Sequence, residues 1–486
     1  MMKRLLVLIA TVAYAPAVSR AQTFDFTWDS TAGGVRAWHT GSNWAGGQVP
    51  TSGDILVQSY YGGTINGSVG TLNARSITVS SGLGITSLSV EGDIRLTDRF
   101  TIGARARVGI GNSLSLVAEE RIANSGLLSL FSGGDIATNT FINDGTVRAF
   151  GFVEINAPTS NSGRIEILDS PSMTFTGNVT NHTDGLLAIR MGTLRATDGF
   201  DNAGVIAVGD GNSDVFADIV NTGAIGASSR ANMSLVGDLV QNGRLNINPG
   251  GRVVVYGDFS GDGGTVGGGT LEVLGEMSVG NSPAATTFDG DLSFGRRTVI
   301  ELGGQEPTEY DSIHVTGKAN VGGQLEIRLL DGFAPSVGDT FQVVSAESGI
   351  DGRFIVGDLP LVSDVLKLYV AQTDSKVLVR TVPIVDGDYN GNGVVDAADY
   401  TVWKDSFGSR LELASDGNLN GAIDAADYTI WKDNFGSRVK AINAVPEPSS
   451  RAMWQMPIAF ATALASLRRR TGFLNRPAIP VECQQW

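Results

Sequence analysis

The chain has 486 residues, 64 of them Gly and one Cys, and carries a formal charge of −15 from 35 Lys and Arg against 50 Asp and Glu. That length exceeds one ordinary domain unless the fold is an elongated repeat, and 42% apolar with 17% charged residues excludes both a disordered polyanion and a membrane bundle. The acidic balance removes nucleic acid as a partner, because a phosphate backbone is bound by clustered cations.

Residues 1–21 place Lys3 and Arg4 before an apolar run and then small residues ending Ser19-Arg20-Ala21. That order predicts a secretory signal peptide cut near Ala21 and an exported mature protein. Next come Trp28, Trp38 and Trp44, with Asn43-Trp44-Ala45-Gly46-Gly47-Gln48-Val49-Pro50. Exposed Trp can stack on sugars, but the end of a repeat must also cover its open core, and these rings are expected to form that cap.

From about residue 120 the pattern apolar-x-Asn-x-Gly-apolar recurs, as in Ile122-Ala123-Asn124-Ser125-Gly126-Leu127 and Asn221-Thr222-Gly223-Ala224-Ile225. Its glycines are Gly126, Gly145, Gly163, Gly185, Gly204, Gly223 and Gly243, at steps of 18 to 22 residues. Short alternating segments such as Leu245-Asn246-Ile247 and Val253-Val254-Val255-Tyr256 follow each corner. Period-2 segments between Gly and Asn turns, repeated at a near-constant length, predict strands stacked as a parallel β-helix over residues 22–275; an antiparallel sandwich is the competing fold. Gly and Asn are expected at the corners for their tolerance of left-handed backbone, and the stacked asparagines as members of a hydrogen-bonded ladder rather than as ligands.

The entrance of the chain resembles the start of bacterial autotransporter-like surface proteins, and residues 276–382 resemble their repeat-flanking region. The second likeness rests on Gly280-Asn281-Ser282-Pro283, Tyr310-Asp311-Ser312-Ile313-His314-Val315-Thr316-Gly317, Gly322-Gly323-Gln324-Leu325, Gly338-Asp339-Thr340-Phe341 and Gly352-Arg353-Phe354. It implies a β-rich passenger-type region with no reaction attached.

The sharpest chemistry lies in residues 383–440. One loop reads Asp388-Tyr389-Asn390-Gly391-Asn392-Gly393-Val394-Val395-Asp396-Ala397-Ala398-Asp399, and a second, 28 residues on, reads Asp416-Gly417-Asn418-Leu419-Asn420-Gly421-Ala422-Ile423-Asp424-Ala425-Ala426-Asp427. Oxygen side chains at positions 1, 3, 5, 9 and 12 with Gly at 6 suit Ca2+, a hard cation that takes six to eight oxygens. The predicted ligands are Asp388, Asn390, Asn392, Asp396 and Asp399 with the Val394 carbonyl, and Asp416, Asn418, Asn420, Asp424 and Asp427 with the Ala422 carbonyl. Asp396 and Asp424 also stand where a helix N-cap belongs. Each loop runs on into a stripe, Tyr400, Trp403 and Phe407 or Tyr428, Trp431 and Phe435, expected to be the core between two small helices ended by Gly408 and Gly436.

Paired loop-helix units without an entering helix resemble type I dockerin. The resemblance implies two Ca2+ ions and attachment to a cohesin-like protein through loop positions 10 and 11, here Ala397-Ala398 and Ala425-Ala426 where that family often has hydroxyl residues. At the end of the chain Val445-Pro446-Glu447-Pro448 is followed by a modestly apolar stretch and Arg468-Arg469-Arg470. This order resembles the PEP-CTERM sorting signal. It implies a transient inner-membrane anchor through residues 452–470, cleavage near Pro446, Glu447 and Pro448 by an exosortase-type protease, and release to the cell surface or matrix. The chain departs from that pattern by continuing through residues 471–486, which hold the sole cysteine, Cys483.

His39, His182 and His314 share no motif, Ser-His-Asp and phosphate-loop signatures are absent, and no catalytic residue is assigned. The expectation is a mainly β protein: signal peptide, solenoid, β-rich region, calcium module and sorting tail. Its expected work is non-enzymatic binding at the cell surface or in an extracellular matrix, with extracellular polysaccharide as a further partner. The alternative is a secreted β-helix polysaccharide lyase or hydrolase anchored by the calcium module.

Overall fold

Runs in which every second residue is apolar can bury one edge of a strand and wet the other, and stacked parallel strands let each coil cover the apolar residues of the last. In the computed structural model this happens along most of the chain. The structure describes residues 23–25, 35–44, 46–59, 62–66, 71–169, 171–280, 283–409, 414–418 and 422–438. The expected signal peptide with Ala21, the ligand Asn420, Trp28, Cys483 and the sorting signal with Pro446, Glu447 and Pro448 lie outside them.

Each coil gives one strand to each of three parallel sheets. The coil at 121–138 contributes Arg121–Asn124 to the first sheet, Leu127–Phe131 to the third and Asp135–Thr138 to the second. The first sheet is 16-stranded, from Thr23–Asp25 to Ile355–Val356, and the second is 14-stranded, from Leu72–Ala74 to Ile350–Gly352. Ile122, Leu128, Leu130 and Ile136 point inward and are fully buried. The expected parallel β-helix is thus the fold. It runs beyond residue 275: Gln324–Leu329 still pairs in parallel with Arg297–Leu302, and Thr340–Ala346 with Ser312–Val315. Only then does the chain reverse, and Lys376–Pro383 pairs antiparallel with both Thr340–Ala346 and Leu366–Gln372.

The corner asparagines form the expected ladder. Asn124, Asn143, Asn161, Asn181, Asn202 and Asn221 are buried, and the Nδ2 of each donates to the side-chain oxygen of the next, ending on Gln241, at 2.6–2.8 Å. The glycine two or more residues on has a different reason from the one expected. None of these corner glycines, nor any Asn among the described residues, has a positive φ. What excludes a side chain is the coil beneath: a Cβ on Gly145 would lie 2.6 Å from the carbonyl carbon of Ser125, and one on Gly163 2.6 Å from that of Asp144.

At the entrance Trp38 and Trp44 are buried, edge to face at 4.7 Å, and Trp44 Nε1 donates to Trp38 O at 2.7 Å. Both rings are buried against each other rather than displayed to solvent.

In the later coils the buried carboxylate of Asp311 accepts from Ala284 N at 2.8 Å and Glu301 N at 2.9 Å. Burial nevertheless outweighs those bonds and pushes its pKa from 3.8 up to about 6. A carboxyl that holds its proton more tightly when folded favours the native state below its unfolded pKa, and that contribution is lost as pH rises through the folded one. Wild-type stability relative to Asp311→Asn is therefore expected to fall by about 2–3 kcal/mol between roughly pH 4 and pH 6. Urea midpoints of both proteins over that range check it, and parallel profiles would refute it.

Candidate metal centre

The acidic loops follow the terminal hairpin and belong to the same compact unit as the coils. Each ends in a capped helix, because an Asp that can cap is followed three residues on by an Asp that can return the bond. In α1 (Ala397–Ser406) Asp396 Oδ1 accepts from Ala398 N at 2.8 Å, and Asp399 Oδ2 accepts from Asp396 N at 2.8 Å. In α2 (Ala425–Asp433) Asp424 and Asp427 repeat the arrangement at 2.7 and 2.8 Å. Gly408 and Gly436 follow with φ of 85° and 88°, the left-handed conformation that closes a helix.

Inside the first loop Asp388 and Asp399 are buried. Asp388 accepts from Asn392 N at 3.1 Å and Gly393 N at 2.7 Å, while the other oxygen of Asp399 takes Asn390 N at 2.9 Å. Gly393, at loop position 6, has φ of 82°. In the second loop Asp416 and Asp427 are buried, and Asp427 Oδ1 accepts from Gly417 N at 2.9 Å. Position 12 thus ties each loop to its own helix before any ion is considered.

The two units are related by an approximate twofold. Trp403 Nε1 donates to Asp424 O at 2.9 Å, and Trp431 Nε1 to Asp396 O at 2.8 Å. Val395 exchanges backbone bonds with Gly436 and Ser437, as Ile423 does with Gly408 and Ser409. Tyr389 reaches from one loop to the other, its hydroxyl donating to Asp427 O at 2.5 Å.

The aromatic stripe only partly fills its expected role. Its rings meet across the helices, Tyr400 to Trp431 at 5.2 Å and Trp403 to Tyr428 at 5.1 Å, yet none is buried, and Phe407 and Phe435 are 57% and 58% exposed. Among the described residues the buried hydrophobic side chains of the module are instead Tyr389, Val395 and Ile423, which lie in the loops.

The donors offer oxygen only, from carboxylate, amide and backbone, which fits a hard cation. Among the described residues no three His, Cys, Asp or Glu side chains converge into a metal-sized group, so an ion held here would draw on Asn390, Asn392 and the Val394 carbonyl as well. Burial raises the pKa of Asp388, and the like charge of Asp399 adds to the rise against the Gly393 N–H, which lowers it. A cation between the two carboxylates would relieve both causes.

Two residues without any motif of their own also face the first loop. A Cβ on Gly391 would lie 2.9 Å from Tyr369 Cγ, so that ring rests directly on the loop. Half-buried Lys367 has its ammonium pKa lowered by desolvation, a fall opposed by the charges of Asp388, Asp386 and Asp399. Both belong to the strand Leu366–Gln372, and only the hairpin fold brings them to the loop.

Two of the three histidines have side-chain partners. His182 Nε2 lies 2.8 Å from Ser160 Oγ, and His314 lies 3.0 Å from Ser345 Oγ through Nδ1 and 3.3 Å from Glu347 through Nε2. These groups stand on the solvent face of the coils, where polar pairs between neighbouring strands join one coil to the next. No family model matches the chain, and no curated protein matches it in sequence.

Proposed function

We propose that this is an exported, non-enzymatic protein of the cell surface or extracellular matrix. In this reading the β-solenoid is a stalk and binding face, and the paired loops form a dockerin-like module that binds two Ca2+ ions and attaches the protein to a cohesin-like partner. The sorting tail, processed by an exosortase-type protease, delivers it. The observation that carries the reading is the doubled loop, in which Asp388 and Asp399, and again Asp416 and Asp427, are buried beside Asp-capped helices. Ala397, Ala398, Ala425 and Ala426, at the positions that would meet the partner, are exposed in both halves.

Calorimetric titration of the full chain tests the metal. Two Ca2+ ions per chain are expected, with Asp388→Ala and Asp416→Ala each removing one, and chelation changing the fluorescence of Trp403 and Trp431. A chain that takes up no Ca2+ at millimolar concentration and whose fluorescence ignores chelator would refute the calcium module. Shortening of a polysaccharide by the purified chain would refute the non-enzymatic part.

A further inference from the structure

Outside the module, the outer face of the third sheet carries a groove of about 830 Å3 lined by Leu83, Ile85, Arg105, Arg107, Leu127 and Arg148 among others, with no acidic residue in its lining. In a chain of charge −15 such a cluster of arginines is against the trend. The groove crosses successive coils, since Arg107, Leu127 and Thr146 stand in register, as do Gly109, Ser129 and Arg148. The coils it crosses repeat at about 4.8 Å.

Its walls are held in place. Arg105 donates to Gly82 O at 2.8 Å and Leu83 O at 3.3 Å, pinning the bend that carries Leu83 and Ile85. Those two side chains are 65% and 44% exposed, an apolar rim beside the cations. Arg148 is oriented by an ion pair with buried Glu166, which Arg164 shares. Arg107 is exposed and forms no ion pair among the described residues.

We propose that this groove binds a segment of acidic polysaccharide, with sugar carboxylates on Arg107 and Arg148 and the C–H faces of the sugar rings on Leu83, Ile85 and Leu127. The choice of polymer follows from the geometry. The groove runs across the strands, whose backbone groups are committed to the parallel ladders on either side, so a peptide lying in it would gain no strand pairing. A uronate chain needs only what the groove offers, spaced cations and apolar patches. The inference rests on the binding-protein reading above and names its ligand class.

The test is equilibrium binding of the full chain to oligogalacturonates too short for calcium to gel, at low and high salt. Methyl-esterified oligomers and polyglutamate serve as comparisons. Binding is expected for the free acid and not for the ester, weakening with salt. Arg107→Glu should cost at least tenfold, while Arg95→Glu, the same charge change at an exposed site on the second sheet, should leave affinity unchanged. Failure to bind, equal losses in the two variants, or polyglutamate binding as well as the uronate would overturn the proposal. Binding followed by shortening of the oligomer would keep the groove and overturn the non-enzymatic reading instead, and calcium uptake measured on the same samples reports on the module independently.

Discussion

Replacing Asn181 by Leu should destabilise the solenoid by about 3 kcal/mol, because it removes a fully buried amide from the middle of a hydrogen-bonded column. Asn181 Nδ2 donates to Asn202 Oδ1 at 2.7 Å and to Gly185 O at 3.2 Å, and its own oxygen receives Asn161 Nδ2 at 2.7 Å. Leu fills similar space but leaves the facing amide groups of Asn161 and Asn202 without their ladder partners, and a buried polar group deprived of its bond costs about 1–3 kcal/mol. Asn232 provides the contrast. It donates to Asn212 at 3.0 Å across the same coil spacing but in solvent, so Asn232→Leu should stay within about 0.5 kcal/mol of wild type. Urea unfolding of both variants checks the pair. Equal losses would show that the ladder contributes no more than a surface amide pair.

Gly223→Ala should be at least as damaging, by about 3 kcal/mol or more, through overlap rather than a lost bond. The added Cβ would lie 2.5 Å from both atoms of the Ala203 carbonyl and closer still to Gly204 O. Those are backbone atoms of the coil beneath and cannot turn aside as a side chain would. Neighbouring coils would have to separate, breaking the parallel hydrogen bonds on either side. Three residues on, Gly226 has no heavy atom within 4 Å of the place a methyl would take and no positive φ, so Gly226→Ala should be neutral or stabilising by up to about 1 kcal/mol. Thermal midpoints of the two single-methyl variants, shifted in opposite directions or by very different amounts, are the expected result; equal shifts would refute the stacking explanation.

These two predictions mark how far the repeat is legible. The spacing of Asn and Gly, with alternating segments between, points to stacked strands and to an asparagine column, and both are present. The purpose of the glycine is not legible in the same way. A tight bend and a tight stack select the same residue, and a single coil in sequence does not show its neighbour; only the distance from Gly145 to Ser125 or from Gly223 to Ala203 separates the two causes.

The module divides in the same way. Asp396, Asp399, Asp424 and Asp427 are readable because a cap and its return bond act within one turn, so the spacing carries the geometry. The stripe from Tyr400 to Phe407 is readable as a helical face but not as a half-exposed one, since helical period reports which residues share a face and not how much covers it. Tyr369 and Lys367 give no such signal, as they precede Asp388 in sequence by 19 and 21 residues and arrive only when the hairpin closes.

By itself the sequence determined the class of fold, the coil length, the corner asparagines and the capped acidic loops, all features whose physics is local or repeats at one period. The tertiary structure decided the rest: why the corners must be glycine, how far the coils continue, what rests on the first loop, and the gathering of Arg105, Arg107 and Arg148 on one outer face. Those depend on which coil lies against which. Stacking turns residues about 20 apart into neighbours about 4.8 Å apart, and so creates contacts that no single repeat contains.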